Sequence, residues 1–294
     1  MKLSLAPVPY YWTKEEIYRF YTNLHDVPVD IVYLGENICV KRKALSSENW
    51  LELGRRLQKA GKEVVMTTQA LFESDADLEA LRVIAASNEF PVEANDMGAV
   101  RLPERQGMFV AGMHLNIYNP ESLGFLLELG AKRWVMPLEM SRTDLQNMLP
   151  LLEDVEVEVF GYGRMPLAFS ARCFTARHAR LSKDECGSQC MKYPEGLALK
   201  TMEQSGFLVL NGPQVLSDRI YCLLHELPEL KKLGVGVVRI TPQRENTREI
   251  ARLFAAVADG STSAQDAEAE LLKAMPAAPC NGFWHHQPAM AYVR

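Results

Sequence analysis

Val29-Asp30-Ile31-Val32-Tyr33-Leu34, closed by Gly35-Glu36-Asn37-Ile38-Cys39, opens the part of the chain that decides the fold. Residues 29–34 are an apolar run rich in β-branched side chains, which predicts a buried strand ended by Gly35. Ser47 then predicts the cap of an amphipathic helix that stops at Gly61, and residues 63–67 repeat the strand pattern. Two strands joined by a helix lie parallel with a right-handed crossover.

The same unit recurs outward in both directions. Residues 2–5 form a strand pattern, and Thr13-Lys-Glu-Glu16 is a capping box that opens a helix through about Leu24. Downstream, residues 74–87 read as a helix, 91–94 and 108–111 as strands, and Asn119-Pro120 as the start of a helix that Gly130 ends. Residues 133–136 predict a strand, 141–152 a helix and 155–160 a strand. After a cysteine-bearing stretch come strand 207–210, a helix from about 215 to 233, strand 235–240 and a helix over 247–258. About eight parallel strands result, or nine with 207–210, and this alternation predicts an α/β fold: a TIM-barrel-like (β/α)8 barrel with a cysteine-bearing insertion after the seventh strand. Residues 1–260 are expected to form the barrel, including a cysteine-rich insertion at 161–206. Residues 260–265 read as a linker, and 261–294 as a C-terminal tail packing on the barrel. In such barrels functional groups lie just after the strand C-terminal ends. Cys39, Asn116, Glu139 and the cysteine stretch all do.

Composition narrows the class. Of 294 residues 48% are hydrophobic and 23% charged, ordinary for a globular protein, and the formal net charge of −5 offers no general attraction to nucleic acid or anionic membrane. No run approaches the roughly 18 apolar residues of a membrane span, and a proline interrupts the start too early for a signal peptide. A cytoplasmic protein is the expectation, with no nucleic-acid partner.

Three of the six cysteines fall within residues 171–193, as Cys173-x12-Cys186-x3-Cys190, in a stretch without helical or strand periodicity. Packing accounts poorly for these thiols. Bound iron or zinc accounts for them well, because thiolate is the soft ligand such ions select, and Arg172, Arg177, Arg180 and Lys183 favour the thiolate form. Buried inert cysteines and disulfides are the competing readings. Cys39, followed by Lys41-Arg42-Lys43, is one source of a fourth ligand. Cys222 is its rival, placed off the centre of the apolar stripe in the helix expected there, and Cys280 is the weakest candidate. Spacing leaves zinc and an iron–sulfur cluster both open.

Several stretches then carry a family resemblance. Glu158-Val-Phe160-x-x-Gly163, Ser170-Ala-Arg-Cys173 and Cys186-x3-Cys190 resemble the signature of the collagenase-like peptidase family of unknown catalytic type. Tyr33-Leu-Gly-Glu36-x-x-Cys39, Leu115-Asn116-x-Tyr118-Asn119, Pro137-x-Glu139-x-Ser141-Arg142 and Asn281-Gly282 extend the likeness over essentially the whole chain. The resemblance implies a 4Fe-4S cluster held by Cys39, Cys173, Cys186 and Cys190, in a subunit that works as a heterodimer with a UbiU-like homologous subunit and acts on ubiquinone precursors without dioxygen. It also marks a departure, since Pro166 and Tyr162 stand where many relatives have a cysteine and a histidine. Other readings are a non-catalytic cluster-bearing partner and a zinc-stabilised hydrolase or peptidase, although neither a Gly-x-Ser-x-Gly elbow nor a His-Glu-x-x-His helix is present. His114 and His178 are further candidates for neighbours of the site, and Glu139 and Arg142 for binding a polar substrate or a partner.

Overall fold

Eight parallel strands close on one another in the computed structural model, which describes residues 1–72, 75–101, 109–152 and 155–294. They are β1 (Lys2–Leu5), β2 (Ile31–Leu34), β3 (Glu63–Thr67), β4 (Val92–Ala94), β5 (Phe109–Ala111), β6 (Ala131–Val135) and β7 (Glu156–Phe169). An insertion follows, carrying β8 (Leu197–Lys200), β9 (Gly206–Asn211) and β10 (Gln214–Cys222), before the closing strand β11 (Val237–Ile240). Strand β11 lies between β7 and β1, with Val237 opposite both Glu158 and Lys2, so the barrel has no open edge. The expected TIM-barrel-like fold is the observed one. The helix start expected at Ser74 and the strand start at Met108 lie outside the described residues.

Local chemistry explains the elements. All four residues of β2 are buried, as strands covered by helices on one side and barrel interior on the other must be. Helix Ser47–Lys59 packs Trp50, Leu51, Leu53 and Leu57 inward; Ser46, not Ser47, caps it, accepting from Asn49 N at 3.2 Å. The Thr13–Glu16 capping box is present, and Ser141 with Asp144 makes a second.

One layer of the barrel interior is ionic rather than apolar. Arg239 donates to Glu158 and to Glu93, both at 2.7 Å, and stacks 4.1 Å from the Tyr33 ring. Glu158 also accepts from Ser4 (2.6 Å) and Tyr33 (2.5 Å), while Arg133 bridges Tyr33, Glu63 and Glu156. Each buried charge of this layer has an opposite partner, as its burial demands, while Arg239 Nη2 and Asn95 Oδ1 are buried without a hydrogen-bond partner.

Two elements differ from the sequence expectation. Strand β7 runs on to Phe169, leaving the barrel at Gly163, whose φ of +141 and close approach to Thr241 (an added Cβ would sit 2.6 Å from Thr241 Cβ) leave no room for a side chain. Its outer half pairs antiparallel with β10, which replaces the first part of the helix expected at 215–233; only Leu227–Lys232 is helical. Leu216, Ile220, Leu223 and Leu224 suit a helical stripe, but the strand pairs on both sides, with β7 and β9, and tertiary pairing overrides that local pattern. The expected linker at 260–265 shrinks to a turn, since Ser263 caps a helix over Ala264–Ala274. Beyond it β12 (Pro279–Cys280) joins β10 in parallel, and Trp284 is buried.

Candidate thiol centre and barrel mouth

Cys39, Cys173, Cys186 and Cys190 line one hollow of about 370 Å³, part of it open to solvent, together with Tyr11, Lys41, Arg42, Thr175 and Lys183. Three separate pieces of chain meet there, and each is held by its own local device. After β2, Glu36 Oε1 accepts from the backbone N–H groups of Ile38 (2.9 Å) and Cys39 (3.0 Å), which fixes the Cys39 turn. Cys173 caps the short helix Phe174–His178, its Sγ accepting from Ala176 N at 3.4 Å. Between Cys186 and Cys190, Gly187 and Ser188 both take left-handed conformations (φ of 53° and 54°), and this turn brings the two cysteines back onto the same hollow.

Arg42 is the organising cation. Its side chain is only 2% exposed, paired with Glu36 at 3.9 Å, and it donates to Pro9 O and Asn211 Oδ1, both at 2.7 Å. Burial pushes the Cys39 thiol up, while the Lys41 N–H and the Arg42 charge pull it back. Cys190 is raised by burial in the same way, with Arg42 opposing. Lys41, ion-paired with Asp184, adds positive charge at the rim. Lys41 and Arg42 thus belong to the hollow's lining rather than to a purely solvated loop.

The residues fit a thiolate-bound group. Arg42 Nε is buried with no hydrogen-bond partner, an orphan that a sulfur acceptor inside the hollow would satisfy. Among the described residues no three His, Cys, Asp or Glu side chains are placed to hold a single metal ion.

The remaining cysteines lie elsewhere. Cys222 and Cys280 are buried on neighbouring strands, and burial pushes both thiols up to about 12. His178 stacks edge-on against Tyr193 and does not line the hollow. Asn116 and Glu139 both accept from the Tyr118 hydroxyl, at 3.5 and 3.3 Å, on the surface, and Arg142 is taken up by an ion pair with Glu229 at 2.7 Å. Pro166 lines a second cavity, and Tyr162 donates to Gln243 at 2.8 Å.

That second cavity, about 530 Å³ with the space open to solvent included, occupies the C-terminal mouth of the barrel. Its walls include Pro9, Ile38, Met113, Phe160 and Leu216, with His114, Arg164 and Arg239 among the polar groups. Sequence reading singled out His114 alone of these. Arg164 lies in what reads as loop and is placed only by the unexpected length of β7. Pro9 divides the two hollows, its carbonyl accepting from both Arg42 and Asn211 at 2.7 Å.

Fold and site together define a (β/α)8 barrel protein whose chemistry is gathered at the C-terminal mouth, with four thiols as its distinguishing feature. The chain belongs to peptidase family U32, whose family model matches residues 21–293. It is similar to an uncharacterized protease of Methanocaldococcus jannaschii, 23% identical over 221 residues that cover 71% of this chain and 54% of the relative. A tRNA hydroxylation protein P1 of Bacillus subtilis is 23% identical over 140 residues, 46% of this chain and 33% of that protein. A tRNA hydroxylation protein P of Helicobacter pylori is 29% identical over 102 residues, 31% and 24% of the two chains. The chain spans about half the length of the first of these relatives and less of the other two.

Proposed function

We propose that the chain is the 4Fe-4S-bearing subunit of an oxygen-independent hydroxylase, UbiV-like in role, that acts on ubiquinone precursors as a heterodimer with a UbiU-like homologous subunit. The observation that carries this reading is the convergence of Cys39, Cys173, Cys186 and Cys190 on one hollow beside a buried, incompletely bonded Arg42. The four cysteines would hold the cluster, which supplies one-electron chemistry when bound. Arg42 offsets the negative charge of the thiolates, and Pro9 with Asn211 fixes its guanidinium in place. A hydroxylation role is further supported by the two relatives named for tRNA hydroxylation.

Those names also favour a second reading, in which the substrate is tRNA. Net charge weighs against it, since 37 acidic residues outnumber 32 basic ones and tRNA binding rests on phosphate neutralisation. Support for a protein partner comes from the β8–β9 hairpin. Among the described residues strand β8 ends the sheet and pairs only with β9, and Met202 and Phe207 beside it are 92% and 50% exposed.

Anaerobic purification with iron, sulfide and zinc analysis tests the cluster: iron and acid-labile sulfide with broad visible absorption are expected. Zinc at about one per chain without iron overturns it in favour of a zinc-stabilised hydrolase. Assays of the chain alone and with its homologous partner, on a quinone precursor and on unmodified tRNA, separate the substrates. Product from tRNA alone defeats the quinone reading, and full activity of the isolated chain defeats the heterodimer.

A further inference from the structure

We propose that the barrel-mouth cavity is a binding site for a small ring carboxylate, held by Arg164 and packed on the apolar wall. The site lies where (β/α)8 barrels bind their ligands, and it is distinct from the thiol hollow. Its wall is mostly flat or branched hydrocarbon, with Ile38, Met113, Phe160 and Leu216 facing a space that opens to solvent.

The polar groups choose the ligand's charge. Glu93 is already satisfied, accepting from Arg239 (2.7 Å), Thr67 (2.6 Å) and Asn95 (3.3 Å), so no carboxylate is left to attract a cation. Arg239 is ion-paired with Glu93 and Glu158, and its Nη2 is buried without a hydrogen-bond partner. Arg164 is different. Among the described residues it has no ion pair; its Nη1 donates to the carbonyl oxygens of Ser217 (2.9 Å) and Asp218, and its side chain also hydrogen-bonds the Tyr10 hydroxyl. Glu195 shares a neighbouring crevice with it without pairing. A half-buried guanidinium bonded to neutral oxygens alone is the arrangement that an incoming carboxylate completes, and the guanidinium fork suits that anion.

His114 adds a second selector. Its ring packs edge-on to Phe169 at 5.0 Å between centroids, it makes no hydrogen bond to a described residue, and desolvation lowers its pKa to about 4. A neutral imidazole at the cavity wall accepts or donates one hydrogen bond without adding charge, which favours a hydroxyl on the ring.

Binding here requires neither turnover nor iron, so calorimetry on the full chain, purified anaerobically and with its iron counted separately, tests the cavity even if the cluster reading fails. The probes are benzoate, 4-hydroxybenzoate, benzamide and AMP. Benzoate is expected to bind about tenfold more tightly than benzamide, Arg164→Gln to abolish that difference, and Leu216→Trp to block both by filling the space. The advantage of 4-hydroxybenzoate over benzoate should vanish in His114→Leu. Equal binding of benzoate and benzamide, an unchanged affinity in Arg164→Gln with its fold verified by circular dichroism, or tighter binding of AMP than of benzoate overturns the proposal.

Discussion

At the scale of single residues, Cys39 and Cys222 are two thiols that the fold sets in different surroundings. Cys39 sits on a turn pinned by Glu36 and lines the hollow; Cys222 ends a strand and is buried among aromatic and aliphatic neighbours. Iron counted per chain should therefore fall sharply in Cys39→Ala, Cys173→Ala, Cys186→Ala and Cys190→Ala, and stay near the wild-type value in Cys222→Ala and Cys280→Ala. Retention of iron by Cys39→Ala with its loss in Cys222→Ala would reverse the assignment of the fourth ligand. Arg42→Met strips the hollow of its buried cation and leaves the carbonyl of Pro9 with one donor fewer. A loss of about 1–3 kcal/mol in denaturant unfolding is expected, together with faster iron release to a chelator. Unchanged iron release would show that Arg42 is structural only. The cysteine block was legible in the sequence because nothing about packing explained it. The burial of Arg42 was not, because a Lys-Arg-Lys run looks the same whether it is solvated or folded under a distant loop.

Among the elements, the parallel strands were readable because each is a short apolar run followed by an amphipathic helix, and the two periods differ. β7 and β10 escaped that reading. Gly161-Tyr162-Gly163 looks like the end of a strand, yet it is the bend by which the strand leaves the barrel and continues to Phe169. The partner that stabilises the continuation, β10, lies some 50 residues further on, and no local window contains both. The hairpin of β8 and β9 follows from the same departure and stands beside the thiol segment, its outer edge unpaired among the described residues. Phe207→Glu combined with Met202→Asp should weaken association with the homologous partner about tenfold or more in sedimentation or pull-down measurements. Iron content should stay unchanged, since neither residue lines the hollow. Undiminished association would remove the hairpin as the partner face.

For the whole molecule, the barrel is closed around charges, and this fixes how its stability responds to acid. Burial alone would raise the Glu158 carboxyl, but Arg239 and then Arg133, with the hydrogen bonds from Arg239 and Ser4, outweigh it and hold the pKa below its ordinary value. Arg239, under the same burial, is held charged by Glu158 and Glu93. A carboxyl whose folded pKa lies below its unfolded one binds fewer protons when folded. Its contribution is therefore complete above the ordinary carboxylate range, about 4.3 for Glu, and is lost as pH falls through the lower folded value. Glu156, lowered by Arg133 and Lys2 against its own desolvation, acts in the same direction. Stability measured by urea unfolding should be flat near neutrality and drop steeply once the pH falls below about 4.3. Glu158→Gln should be less stable at neutral pH by about 3–5 kcal/mol, because it leaves Arg239 and Arg133 short of one buried counter-charge. Its acid limb should also be shallower than that of the wild type, since the proton it would have taken up is already built in. An acid limb as steep in Glu158→Gln as in the wild type would place the acid sensitivity outside the barrel interior, with the surface carboxylates.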